Sequence, residues 1–323
     1  MRLSLLDRSR TRHGQSESAA LGHTVERAIE VEQLGYERFW VAEHHAVPGI
    51  ASGSPAVLLA AIGARTARIR LGSGGVMLPN HRPLPVAEQF RMLAALHPGR
   101  IDLGLGRSLG FTEPVRRALG RLEADPVSFA REVEELRGYI EGSAPLTARP
   151  ADAGEVPLFV LATGSGIAAA AELGLPVVIG GPFLDSPELS DRLAAYRRAF
   201  RPHRGSAPQV VVSVDALVAD TDAEARELAL PEVLAMVRSR STGVFGPLEP
   251  VARIRGTALS DREARRVERG LDAAVAGSAQ TVRRRIEQLL ERTGAQEVLV
   301  TGATYDRAAL AASDRDLAHL LRG

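Results

Sequence analysis

Eight short apolar runs recur along the chain, and stretches with helical periodicity fill the intervals between them. The runs are Leu3 to Leu6, Arg38 to Ala42, Ile69 to Val76, Ile101 to Leu105, Leu158 to Ala162, Val177 to Ile179, Val210 to Val218 and Val298 to Thr301. A strand buried on both faces reads as a near-continuous apolar run, whereas a half-exposed strand alternates. Helical stretches begin near Ser18, Pro55, Val86, Phe129, Ile167, Pro187, Ala223 and Ala279. Eight such alternations in 323 residues predict an α/β fold, a (β/α)8 TIM barrel, because βαβ connections of one hand close a parallel sheet. One domain spanning residues 1–323 is expected. Within it, Ser239 to Asp261 carries scattered Gly and Pro with little periodicity and is read as a mobile lid, with disorder as the alternative.

Composition narrows the chemistry. The net charge of +1 leaves a nucleic-acid or anionic-membrane partner unsupported. There is no cysteine, which removes disulfides, thiolate nucleophiles and thiolate metal sites together. There is also no lysine, so a Schiff base and a P-loop lysine are excluded. No apolar span of membrane length and no signal peptide is read, and the expected compartment is the cytoplasm.

In an α/β fold, polar groups at the C-terminal tips of buried strands are where chemistry is placed. The second run ends in Glu43, His44 and His45. Side chains alternate along a strand, so Glu43 and His45 are expected on one side and His44 on the other. The imidazoles either serve catalysis or satisfy backbone carbonyls. At the third tip, Gly74 and Gly75 in GSGGVMLP allow a sharp bend or the close approach of a flat ligand, or form a plain turn. The fourth tip, GLGRSLG, has the wrong spacing for a dinucleotide fingerprint, but Arg107 suits an anion or a loop carboxylate. At the fifth, ATGSG offers Thr163, Gly164, Ser165 and Gly166 at a helix start, as a phosphate cradle or an ordinary cap. The remaining histidines show no metal spacing, no metal is expected, and His81 stands apart only by its place beside the third loop. Arg283 to Arg285 reads as a solvated helix face. Four tips of one rim together offer what a flat, phosphorylated cofactor would use.

The segments LGYERFWVAEHH (Leu34 to His45), ARTARIRLGSGGVMLPNHRPLPVAEQF (Ala64 to Phe90), HPGRIDLGLGR (His97 to Arg107), AAELGLP (Ala170 to Pro176), VADTDAEAR (Val218 to Arg226), GSAQTV (Gly277 to Val282) and GAQEVLV (Gly294 to Val300) occur in order. In these the chain resembles the bacterial-luciferase-like flavin monooxygenases. The resemblance implies a two-component FMN-dependent monooxygenase. A separate flavin reductase would supply reduced FMN, and one atom of O2 would enter a small organic substrate through a flavin hydroperoxide. By the same resemblance His44 is the catalytic residue, with Glu43, His44, Gly74, Gly75, Arg107, Thr163, Gly164, Ser165 and Gly166 around the cofactor. The Gly74-Gly75 bond matches a cis peptide, while Gly166 stands where the family often has a second hydroxyl residue. His45, Met77 and His81 are assigned to the substrate pocket. A homodimer through the second and third helices is implied as well. The rival readings are a deazaflavin-dependent dehydrogenase or reductase, a non-catalytic flavin-binding relative, and a barrel for an unrelated ligand.

Overall fold

In the computed structural model, which describes the chain except residues 124, 125, 163, 165 and 323 and the side chains of 126, 127 and 322, the apolar runs become strands of one closed sheet. The first half comprises β1 (Arg2–Asp7), α1 (Glu17–Gln33), β2 (Arg38–Val41), α2 (Pro55–Gly63), β3 (Arg70–Met77), α3 (Pro83–Leu96), β4 (Ile101–Gly106), α4 (Glu113–Ala118) and α5 (Pro126–Glu141). Next come β5 (Leu158–Ala162), α6 (Gly166–Leu173), β6 (Val177–Gly180), α7 (Leu189–Ala199), β7 (Val210–Val214), β8 (Ala216–Val218) and α8 (Asp222–Thr242). The chain continues through α9 (Val251–Arg255), α10 (Asp261–Ala273), β9 (Val275–Gly277), α11 (Ala279–Thr293), β10 (Glu297–Val300) and α12 (Arg307–Arg322). Parallel pairs run around the ring in the order β1, β10, β7, β6, β5, β4, β3, β2 and back to β1. The barrel expected from the sequence is therefore the fold.

Two boundaries differ from the sequence reading. The run Val210 to Val218 breaks at Asp215, where β8 leaves the barrel and pairs with β9 in a separate two-stranded sheet. The helix that follows the final barrel strand is α12, so Ala279 to Arg292 belongs to the connection before that strand. Helix α10 escaped notice because its buried contribution is only Val267 and Leu271, set among four arginines. The stretch Ser239 to Asp261 contains the end of α8, all of α9 and the start of α10. Between them the chain is pinned to the loops after β1 and β2. Gly49 donates its N–H to Phe245 O at 2.7 Å, and His13 and Leu248 N–H groups donate to Leu248 O and Thr11 O.

Alternation along the strands fills the barrel in layers, as expected for a closed parallel sheet. At the N-terminal end Arg38 donates to Asp102 at 2.6 Å and to Glu297 at 3.0 Å, and Ser4 Oγ donates to Glu297 at 2.6 Å. Above this charged plug lies an apolar layer of Leu6, Trp40, Phe159, Val211 and Leu299. Trp40 meets Phe159 edge-on at 5.1 Å. The next inward residues, one step further along each strand, reach the C-terminal mouth. The larger apolar core lies between the strands and the outer helices. Among the described residues no helix is long and apolar enough to cross a membrane.

Candidate active site at the barrel mouth

On β1 the inward series Ser4, Leu6 continues to Arg8, and on β2 the series Arg38, Trp40, Ala42 continues to His44. These two side chains meet a third element, α8, through Glu232. Arg8 donates to Asp215 at 2.8 Å and to the Thr301 carbonyl at 3.1 Å, and pairs with Glu232 at 3.2 Å. Arg10 donates Nε to the other Glu232 oxygen at 2.7 Å. Burial pushes the Glu232 carboxyl up, but Arg10 and Arg8 outweigh it and hold it below the usual carboxylate range.

His44 lies beside this network. Burial, and then the positive Arg8 and Arg10, lower its pKa to about 4, so the imidazole is neutral at pH 7. Its Nδ1 is buried without a hydrogen-bond partner among the described residues. An unpaired polar atom of this kind costs free energy on folding, and such exceptions concentrate at sites of function.

Glu43 and His45 occupy the other face of the same tip, as alternation requires. Glu43 is buried, and its Oε1 accepts from His45 Nε2 at 2.6 Å and from His81 Nε2 at 2.7 Å. Its Oε2 accepts from the Met77 N–H at 3.1 Å, which ties the tip of β2 to the tip of β3. Burial alone would raise this carboxyl, yet the hydrogen bonds from His45 and His81 bring it down to about 2. The ligand atoms of Glu43, His45 and His81 lie within 4.8 Å of one another, as a metal site would require, and hydrogen bonds among the three already satisfy them. Spacing along the chain does not reveal this group, because His81 joins it only through the fold.

The glycines of the mouth are of two kinds. A Cβ on Gly104 would lie 2.2 Å from Ser73 O, and one on Gly75 would lie 2.7 Å from Gly104 O, so these strands meet only as glycine. The Gly74-Gly75 peptide is cis, and the β3–β4 register shifts between Ser73 and Val76. Among the described residues a Cβ on Gly106, by contrast, would find only Val76 O at 3.8 Å, and ones on Gly164 and Gly181 would meet nothing within 4 Å. Arg107 follows directly on β4, Gly164 lies between β5 and α6, and Gly166 opens α6. Thr163 and Ser165 lie outside the described residues.

Beside this floor opens a cavity of about 960 Å³, reached from the tips of β1, β6, β7 and β10 and roofed by α8, α10 and α11. Arg8, Asp215 and Glu232 belong to its inner end. Sequence reasoning missed all three. Continuing the inward series of β1 by one step would have found Arg8.

A family model described as luciferase-like monooxygenase matches residues 1–297. The luciferase-like monooxygenase of Escherichia coli strain K12 is 36% identical over 315 residues, covering 95% of this chain and 92% of that protein. The crystal structure of apo-MsnO8 superposes with a TM-score of 0.89 at 34% identity, covering 99% of this chain and 98% of that one. A more distant structure shares the fold at a TM-score of 0.73 and 20% identity, over 98% of this chain and 96% of the other. It is the oxygenating constituent of 3,6-diketocamphane monooxygenase from Pseudomonas putida, a type II Baeyer-Villiger monooxygenase in complex with FMN. On the family match and the identity to the Escherichia coli protein, sustained over nearly the whole chain, this protein belongs to the luciferase-like monooxygenase family.

Proposed function

We propose that the chain is the oxygenating component of a two-component system, taking reduced FMN from a separate flavin reductase and inserting one atom of O2 into a small organic substrate. The observation that carries this reading is the Nδ1 of His44, buried and unpartnered among the described residues, after a strand that pairs with the one carrying Gly74 and Gly75, with open space at Gly106 and Gly164. A flat ring system needs a floor without side chains, and a reaction centre needs a polar group not already satisfied by the protein. The FMN bound to the Pseudomonas putida relative of the same fold is in keeping with it. Arg107 and the loop through Thr163, Gly164, Ser165 and Gly166 would hold the phosphate, and Gly74 and Gly75 would line the ring system.

Reduced flavin supplies the two electrons that send one oxygen atom of O2 to the substrate and the other to water. The chain contributes position and proton control. His44, neutral at pH 7, has a ring nitrogen free to accept a proton. Glu43 holds His45 and His81 and fixes the Met77 backbone, so the three act as positioning residues for the tip that carries His44. His45 and His81, each partly exposed, and Met77 lie at the tips of β2 and β3, outside the lining of the large cavity, so a substrate contact there would be at its flavin-side end. Exposed Val57 on α2, with Met92 and Leu96 one turn apart on α3, supports a homodimer through these helices.

The test is rapid mixing of the protein, loaded with reduced FMN, with oxygenated buffer while the oxidised flavin band is followed. Wild type should delay reoxidation relative to free flavin, and His44→Ala should retain flavin binding yet alter the delay by about a hundredfold, the scale of a lost acid-base group. Identical traces for the two proteins would remove His44 from the reaction.

A further inference from the structure

The cavity beside the flavin floor has a charge pattern that the cofactor reading does not use. Three helices each turn one stripe toward it, at the spacing of three and four residues that defines a helix face. On α8 the stripe is apolar, with Val233, Met236 and Val237, and ends in Arg240. On α10 it is Arg266 and Arg269, followed by the small Gly270 and Ala273. On α11 it is Arg285, Leu289 and Arg292. Val237 and Leu289 are buried, whereas Arg240 and Arg269 are exposed and Arg266 is half-buried.

Among the described residues no carboxylate pairs with the cavity arginines of α8, α10 and α11, although Asp185 also lines the cavity. Glu268 and Asp272 of α10 pair with Arg226 of α8, and Glu249 pairs with Arg238. Arg240, Arg266 and Arg269 have no carboxylate partner among the described residues. At the inner end the acids Asp215 and Glu232 are both held by Arg8. A low-dielectric wall with unpaired positive charge at its rim concentrates anions. The chain as a whole carries a net charge of only +1, so the excess is local.

Resting on the monooxygenase reading above, we infer that the substrate is an organic anion, a carboxylate or sulfonate on an apolar body, whose head group is held by Arg266, Arg269 and Arg240. Its apolar body lies against Met236, Val237 and Leu289 and reaches toward Arg8 and His44. The cavity touches β1, β10, β7 and β6, whereas Arg107 and the Gly164 loop follow β4 and β5 on the other half of the ring. The arginines are therefore assigned to the substrate and not to the flavin phosphate.

The test is calorimetric titration with two probes of equal chain length, octanesulfonate and octanol, and requires no flavin. Wild type should bind the sulfonate at least about tenfold more tightly than the alcohol, the scale of a charge-assisted contact. In R266Q/R269Q that gap should shrink to about twofold, while R262Q/R265Q, which removes the same charge from exposed α10 positions outside the cavity, should keep it. R240Q, on a different helix, should narrow the gap independently. Equal binding of the two probes by wild type, or a gap that survives in R266Q/R269Q, overturns the inference. So does loss, in R266Q/R269Q, of the preference for photoreduced FMN over photoreduced riboflavin, because the arginines would then hold the flavin phosphate. Failure of reduced FMN to bind wild type would count against the proposed function alone, since the probe pair still decides the anion site.

Discussion

The Glu43 carboxylate and the His45 imidazole, two residues apart on one strand tip, meet at 2.6 Å, and the residue between them points the other way into the barrel mouth. One tip thus carries two separate pieces of chemistry. On the outer face a buried carboxylate is held ionised by two imidazoles and a backbone N–H. On the inner face His44 is kept neutral by burial and by arginines.

Glu43→Gln should destabilise the fold by about 1 to 3 kcal/mol, because a neutral amide replaces an ionised acceptor of three hydrogen bonds. Urea unfolding at pH 7 measures it. The Glu43 carboxyl titrates at about 2 in the folded chain, below its ordinary 4.5, so the unfolded chain binds the proton first on acidification. Its stabilisation is full above pH 4.5 and is lost as the pH falls from about 4.5 to about 2. Glu43→Gln should flatten the stability profile in that window. An unchanged profile would mean that the carboxylate is not held as described.

His44 should show no protonation by imidazole NMR until the pH approaches about 4. Its folded pKa lies below the unfolded 6.5, so stability is unaffected above pH 6.5 and falls as the pH drops from there toward about 4. His44→Gln, which does not titrate, should lose that part of the slope. A resonance titrating near 6.5 would show that the ring is solvated and that Arg8 and Arg10 do not act on it.

The two kinds of glycine should separate in mutagenesis. Gly104→Ala sets a Cβ 2.2 Å from a backbone oxygen, and overpacking against an immovable partner should cost about 3 kcal/mol or more. Gly106→Ala meets nothing closer than 3.8 Å and should leave the melting temperature unchanged while weakening FMN binding, which calorimetry reports. Equal thermal effects in the two variants would contradict the distinction.

Met92→Glu with Leu96→Glu should leave the fold intact, since both side chains are more than half exposed at 56% and 66%. If α3 forms the dimer contact, sedimentation velocity should show wild-type dimers becoming monomers in this variant. A wild-type monomer would remove the interface.

The barrel was legible because strands buried on both faces have no polar alternation to confuse the pattern. The opposed placement of His44 and Glu43 was legible for the complementary reason, that strand alternation is a strict period of two. Glu232 was not legible. Its burial is tolerated only because Arg8 and Arg10, from the first strand and its loop, reach it across the fold. Helix α10 was hidden by the same feature that gives it interest, since its cavity face is arginine and small residues where a core helix would be apolar. The joining of His81 to Glu43 and His45 depends on the pairing of β2 with β3, which the spacing of histidines along the chain does not encode.

If the mouth holding His44 is a site for reduced FMN, anaerobic equilibrium titration of the purified protein with photoreduced FMN, and in parallel with a reduced deazaflavin, should show it. Reduced FMN should bind saturably at one site per chain, weakened by Gly106→Ala, with the deazaflavin bound at least about tenfold less tightly. Tight binding of the deazaflavin with no measurable affinity for FMN would contradict it.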